Sequence, residues 1–212
     1  MIELEGGCRV TSMRDGDPRT AGNRRTWTHF ESRLSLRVIE LHGEATFAND
    51  AHDEVLYDLA QNRAIYIPAG VPVTLDANTT YVSSLTPATP SNRKPEFVRL
   101  DDRPRQQTGD RWYVELIQAE VTQFVGSIPP GRAPDHFHTY DEVIYVLHGE
   151  GVLHVDGRDD PIGPGSCIHL SPRLVHSLEN GGEEPMRVLG VFRPAGSPAE
   201  AYYPDGTPAM AP

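Results

Sequence analysis

The chain contains itself twice. Asp141-Glu-Val-Ile-Tyr-Val-Leu147 is echoed 88 residues earlier by Asp53-Glu-Val-Leu-Tyr-Asp-Leu59. At that offset Gly131 falls on Gly43 and Glu142 on Glu54. Further along, Ser171-Pro-Arg-Leu-Val-His176 corresponds to Pro68-Ala-Gly-Val-Pro-Val73, now 103 residues apart. Self-similarity on this scale asks for two related halves. The change of offset makes the first half 15 residues shorter between these landmarks. The stretch it lacks corresponds to Gly149-Glu-Gly-Val-Leu-His-Val-Asp-Gly157 and the turn beyond, which in the second half reads as a hairpin arm and turn. The first half is therefore abbreviated or partly open. An open edge needs covering by the other half, a tail or a second chain.

Glycine and proline, 19 each, are spread in short clusters. That punctuation favours many short strands over long helices, and no segment carries a long apolar period of 3.6 residues. A chain of 212 residues can bury a real core as one large or two small domains. The net charge of −11 argues against nucleic acid or an anionic membrane as partner. The N-terminal Met-Ile-Glu-Leu-Glu-Gly-Gly lacks the basic and apolar regions of a secretory signal. No run approaches transmembrane length. Two cysteines, Cys8 and Cys167, make no disulfide framework, so a reducing cytoplasm is the expected setting. Cys167, inside Ser166-Cys-Ile-His-Leu170, is expected to be a buried, inert thiol.

The second half carries the chemistry. Gly131-x4-His136-Phe137-His138-x3-Glu142-x6-Gly149 places two imidazoles at i and i+2 and a carboxylate four residues on. On a strand, His136 and His138 project together and Phe137 points the other way. Glu142 joins them from the start of the next strand-like run. Gly165-x5-Ser171-x-Arg173-x2-His176-x3-Asn180 adds a third histidine. Three neutral imidazoles and one carboxylate make a mixed nitrogen and oxygen site for a divalent metal. His29, His42, His52, His148, His154 and His169 fit no ligand pattern and read as structural or exposed.

These two stretches resemble the paired motifs of the cupin superfamily. In the first, the opening gap is one residue short and everything after it fits. In the second, the Gly, His and Asn fit, while Ser171 and Arg173 stand where the family has a turn Pro and Gly. The resemblance implies an all-β fold of two tandem cupin barrels, of the double-stranded β-helix or jelly-roll kind, the first abbreviated. It implies one divalent transition metal per chain (Fe, Mn, Ni, Zn or Cu) held by His136, His138, Glu142 and His176. The first half keeps the Pro-x-Gly turn as Pro68 and Gly70. It has Ala48, Asp50 and Val73 at the three histidine positions, so it looks like a cupin without its metal.

The expected organisation is a degenerate cupin half with an irregular N-terminal arm over 1–90, a linker over 91–110 entered through the Pro-rich Thr86–Pro95, the metal-binding cupin domain over 111–195, and a loosely held tail over 196–212. Strand-like runs in the second half are Trp112–Gln118, Thr122–Ile128, Glu142–Leu147, Gly151–Val155, Cys167–Leu170 and Met186–Phe192. Strand parity turns Ile144 and Val146 inward with Glu142, and Leu178 inward with His176, giving a mostly apolar pocket for a small molecule. Three functional classes fit. The first is a metal-dependent enzyme on a small organic molecule, a dioxygenase-type oxidoreductase by analogy with similar three-histidine, one-glutamate cupins, or else an isomerase or lyase. The second is a module that binds or senses a sugar or other metabolite. The third is a storage protein. No second catalytic group stands out: Tyr140, Asp141, Arg132 and Asp135 flank the motif and read as turn residues or exposed charges. A homodimer is compatible with the open edge of the first half.

Overall fold

The computed structural model describes residues 2–4 and 7–209. Nine strands occupy the first half: β1 (Ile2–Leu4), β2 (Cys8–Ser12), β3 (Arg19–Ala21), β4 (Arg24–Phe30), β5 (Leu36–Phe47), β6 (His52–Asp58), β7 (Arg63–Ile67), β8 (Val73–Pro87) and β9 (Glu96–Arg99). A single 3₁₀ turn at Leu100–Asp102 follows. The second half holds β10 (Gln106–Thr108), β11 (Arg111–Gln118), β12 (Thr122–Ile128), β13 (Gly131–Arg132), β14 (Asp141–His148), β15 (Gly151–Val155), β16 (Arg158–Ile162), β17 (Ser166–Leu170), β18 (His176–Asn180) and β19 (Met186–Arg193). The fold is all-β, and no helix among the described residues is long and apolar enough to cross a membrane.

The strands form three antiparallel sheets. One sheet runs β3-β4-β5-β8-β6-β7-β9, a second runs β1-β2-β17-β14-β19-β12-β11-β10, and a small third runs β13-β18-β15-β16. The β15–β16 hairpin is the element the first half lacks. Its turn is Asp156-Gly157, with φ of 48° and 75°, the two positive values that a two-residue hairpin turn requires. In the first half β6 passes straight to β7 through Leu59–Asn62. Asp58 Oδ1 closes that turn by accepting from Ala60 N and Gln61 N.

Apolar burial explains why the repeated runs read as continuous strands. Val143 and Tyr145 of β14 point into one core, while Ile144 and Val146 point into another. In β6, Val55 and Tyr57 share the first of these cores and Leu56 faces a third. Each central strand is thus buried on both faces, which removes the usual polar alternation. The first core is built from both halves: Leu36, Val38, Tyr57 and Val82 pack with Val114, Val125, Leu189 and Val191. The two large sheets therefore meet face to face. Each such side chain, withdrawn from water, contributes roughly 1.5–3 kcal/mol.

Three stretches differ from the sequence expectation. Cys8–Ser12, expected within an irregular arm, is a strand paired with Ser166–Leu170 of the second half. Its partner lies more than 150 residues away in the chain, which no local pattern reveals. In the stretch expected as linker, Glu96–Arg99 adds to the first sheet beside β7, and Gln106–Thr108 pairs with β11. The tail is held by main-chain hydrogen bonds as far as Ala209. The last residues of the expected tail, 210–212, lie outside the described residues.

Candidate metal centre

His136 and His138 precede β14 on a segment that runs antiparallel to the start of β18. His136 N donates to His176 O at 2.9 Å and His176 N donates to His136 O at 2.8 Å. Arg173 N donates to His138 O at 2.7 Å. This local ladder turns both rings to one side, with centroids 5.0 Å apart, and Phe137 to the other, where it stacks on Tyr202. The ring of His176 lies 4.5 Å from that of His136 and 5.4 Å from that of His138. One nitrogen from each of the three rings falls within 4.8 Å of the others.

The turn before His176 shows how the substituted motif still folds. Arg173 stands where the family motif has glycine, and it takes φ of 64°. Gly70, its counterpart in the first half, takes φ of 75°. The turn keeps its left-handed residue at the expense of some steric strain.

The tautomers follow from the hydrogen bonds. A ring nitrogen facing a carbonyl must carry the hydrogen. His136 Nδ1 donates to Pro134 O at 2.9 Å, His176 Nδ1 to Leu174 O at 2.9 Å, and His138 Nδ1 to Glu200 O at 2.7 Å. In each neutral ring this leaves Nε2 as a bare lone pair. Burial first, then the neighbouring imidazoles, push His138 down to about 4 and His176 to about 3, and burial also lowers His136. At neutral pH all three are uncharged donors.

Glu142 enters from the start of β14, paired with Leu170 on one side and Phe192 on the other. Its Oε2 lies 3.7 Å from His138 Nε2. That oxygen is buried and has no hydrogen-bond partner among the described residues. Burial alone raises the Glu142 carboxyl to about 8. A buried carboxylate oxygen without a partner is costly unless a cation compensates it.

Beside the cluster opens a cavity of about 610 Å³ whose lining includes Glu142, Ile144, Leu178 and the three histidines. Val146, expected on the same wall, is fully buried in the apolar core behind Ile144 and does not line the cavity. Two residues further along the same strand, the interior is filled by side chains rather than hollow.

Sequence reasoning passed over several neighbours. Tyr140 is a buried ring stacked on His138 at 4.7 Å and on Phe192 at 4.0 Å. Nothing in a lone tyrosine beside a motif separates this from a turn position. Phe124 and Arg111 line the cavity from the neighbouring strands, and Arg111 has no ion pair with a described residue. Asp141, by contrast, accepts from His169 Nε2 at 2.7 Å, away from the cluster, and Arg132 forms an exposed pair with Asp135. Asn180, in register with the family motif, is structural: its side-chain amide donates to Ile128 O and Glu184 O.

A family model described as Cupin domain matches residues 124–192. Among curated proteins, the L-ectoine synthase of Bordetella petrii is 33% identical over 84 residues, 39% of this chain and 62% of that protein. The oxalate-binding protein of Thermotoga maritima is 38% identical over 67 residues, 31% of this chain and 55% of that protein. The matches thus span less than two thirds of either relative. Among solved structures, protein YlbA from E. coli superposes with a TM-score of 0.76 at 12% identity, covering 91% of this chain and 93% of that one. Oxalate decarboxylase from Bacillus subtilis superposes with a TM-score of 0.71 at 13% identity, covering 89% and 78%. At such identities the superpositions speak for the fold.

Proposed function

The chain belongs to the cupin family, and on that premise we propose that it holds one divalent transition metal at His136, His138, His176 and Glu142 and acts on a small organic molecule in the adjoining cavity. The observation that carries this reading is the convergence of three bare imidazole nitrogens beside a buried carboxylate oxygen that no described residue satisfies. A divalent cation fits that donor set. Imidazole with carboxylate suits Fe, Mn, Ni, Zn or Cu, and geometry and availability decide among them. When bound, such an ion supplies Lewis acidity, an acidified water or a redox couple.

The chain's own residues supply the setting. Main-chain carbonyls fix each imidazole in one tautomer. Ile144, Leu178 and Phe124 give the cavity an apolar wall that limits water. Arg111, which has no ion pair with a described residue, offers its guanidinium to an acidic group on the bound molecule. Within this reading, the family resemblance of the four ligands favours a dioxygenase-type reaction. The sequence relatives are named for a synthase and an oxalate-binding protein, and together with Arg111 they favour a second reading, non-oxidative chemistry on a small acid.

We read the first half as a cupin that has lost its metal. The sheet registers support this. Glu54 pairs with Leu85 as Glu142 pairs with Phe192, and Arg37 opposite Ser83 occupies the place of Phe124 opposite Gly190. The Arg37 guanidinium bonds Glu54 at 2.5 Å and Ser83 at 2.7 Å. A fixed cation thus compensates the buried acid that lacks imidazole partners.

Elemental analysis of protein purified without a metal-binding tag tests the proposal. The expected stoichiometry is one transition metal per chain. Two per chain, or none after incubation with each candidate ion, would overturn it. Dioxygen uptake with a small-acid panel, set against anaerobic turnover, separates the two reaction classes.

A further inference from the structure

We propose that the C-terminal segment Gly196–Ala209 is a working part of the site, with the main-chain carbonyl of Glu200 as the positioning group for His138. This rests on the metal reading of the four residues above.

The three histidines are oriented in two different ways. His136 and His176 give their Nδ1–H to carbonyls only two residues away, those of Pro134 and Leu174. Any chain that folds this strand pair keeps those bonds. His138 gives its Nδ1–H to Glu200, 62 residues on, at 2.7 Å. The Tyr140 hydroxyl donates to the same carbonyl at 3.4 Å. The tautomer that leaves His138 Nε2 facing Glu142 is therefore set by a segment that belongs to no sheet.

That segment is placed by directed contacts. Thr122 Oγ1 donates to Gly196 O at 2.9 Å, at the point where the chain leaves β19. Phe137 N donates to Tyr202 O at 2.8 Å and Tyr202 N returns to Phe137 O at 3.0 Å, with the two rings stacked at 5.6 Å. Ala209 N donates to Ala201 O at 2.8 Å and folds the end of the segment back on itself. Phe137 thus has a use: it points away from the cluster and carries the segment that orients His138. The same segment contributes Pro198, Ala199, Ala201, Tyr203 and Ala209 to the cavity lining. None of its residues belongs to an apolar core. It serves the site and not the fold.

Without Glu200 O, the neutral His138 ring is free to exchange its proton between Nδ1 and Nε2 and to rotate. Loss of such an orienting partner typically lowers metal affinity by about 10–100-fold.

The test compares the full chain with a chain ending at Ser197, and with full-length Tyr202→Pro, which removes the N–H that docks on Phe137. Ring ¹⁵N chemical shifts are measured on metal-free protein, and Co(II) affinity by titration. In both variants His138 is expected to change from a fixed Nδ1–H tautomer to an exchanging mixture, while His136 and His176 keep theirs. Co(II) affinity is expected to fall about 10–100-fold. Unchanged His138 shifts with unchanged Co(II) affinity in a folded variant would overturn the proposal. Should the shortened chain not fold, Tyr202→Pro decides. A full chain that binds no Co(II) overturns the metal reading instead, and the tautomer measurement still decides the positioning role.

Discussion

Each imidazole in the cluster spends one nitrogen on a main-chain carbonyl and keeps the other free, so removing a ring removes a ligand, and only at His138 does it also remove a stack on a core residue, Tyr140. His136→Ala, His138→Ala and His176→Ala are each expected to lose tight metal binding while far-UV circular dichroism stays that of the parent, because none of the three belongs to an apolar cluster. In His136→Ala and His176→Ala any stability lost should be chiefly the mass-action term of the bound ion, absent when parent and variant are compared metal-free, whereas His138→Ala also gives up its stack on Tyr140. A variant that unfolds outright would make the site structural. Glu142 behaves differently because its folded-state pKa is raised, to about 8. At pH 7 the metal-free carboxyl therefore carries its proton, whereas His138 and His176, pushed down to about 4 and 3, carry none beyond the neutral ring. Metal binding at pH 7 should release about one proton per ion, and affinity should climb with pH and level off above about 8. Calorimetry in buffers of different ionisation enthalpy measures this. In Glu142→Gln the release should vanish and binding weaken, and two or more protons from the parent would contradict neutral histidines. The ligand types and spacing were legible in the sequence because a β-strand converts i, i+2 directly into a shared face. The partners of those ligands were not: Glu200 acts through its carbonyl, which every residue has, and Tyr140 acts through a stacking that only the fold creates.

At the scale of elements, the strands best read from sequence are those buried on both faces, since Val143, Ile144, Tyr145 and Val146 need no alternation to be apolar. β16, Arg158-Asp-Asp-Pro-Ile, was passed over because it is an edge strand whose exposed residues are polar and whose proline needs no ladder partner. Two substitutions test how the elements are held. Arg173 takes a left-handed φ that costs a non-glycine residue about 1–2 kcal/mol. Arg173→Gly keeps the N–H bonded to His138 O, so it should raise the unfolding free energy by about 1 kcal/mol, read from the urea midpoint at unchanged slope. A loss of stability would mean that the arginine side chain matters more than its backbone. In the first half, Arg37→Met strands the buried Glu54 carboxylate and should cost roughly 3–5 kcal/mol, with much of it restored in Arg37→Met/Glu54→Gln. Additive losses in the double variant would show that the pair does not act as a unit.

Over the whole molecule, the repeat implies two halves packed on each other as an internal pair, but not which side chains form their common core or that the first strands of the chain complete the sheet of the last. Those pairings are long-range, and sequence periodicity reports only which face of a strand is apolar, not what covers it. They lead to a prediction that the family match alone would not suggest. Residues 111–195 contain all four candidate ligands and every residue of the matched cupin domain. Cut out alone, they lose β2 from the edge at β17, exposing the unpaired backbone of Ser166–Leu170. They also lose the Leu36, Val38, Tyr57 and Val82 face that covers Val114, Val125, Leu189 and Val191. An uncovered apolar sheet of this extent drives aggregation, and its re-exposure removes roughly 1.5–3 kcal/mol for each side chain returned to water. For these four side chains the loss comes to about 6–12 kcal/mol, as large as the 5–15 kcal/mol by which a domain of ordinary stability is folded. The fragment is therefore expected to be insoluble or to give a collapsed amide spectrum, and the full chain to unfold in one cooperative transition, with fluorescence from Trp27 in the first half and Trp112 in the second moving together. A soluble 111–195 fragment with dispersed amide resonances, or two separated transitions in the full chain, would show that the shared core is an accessory contact and that the second half is a domain in its own right.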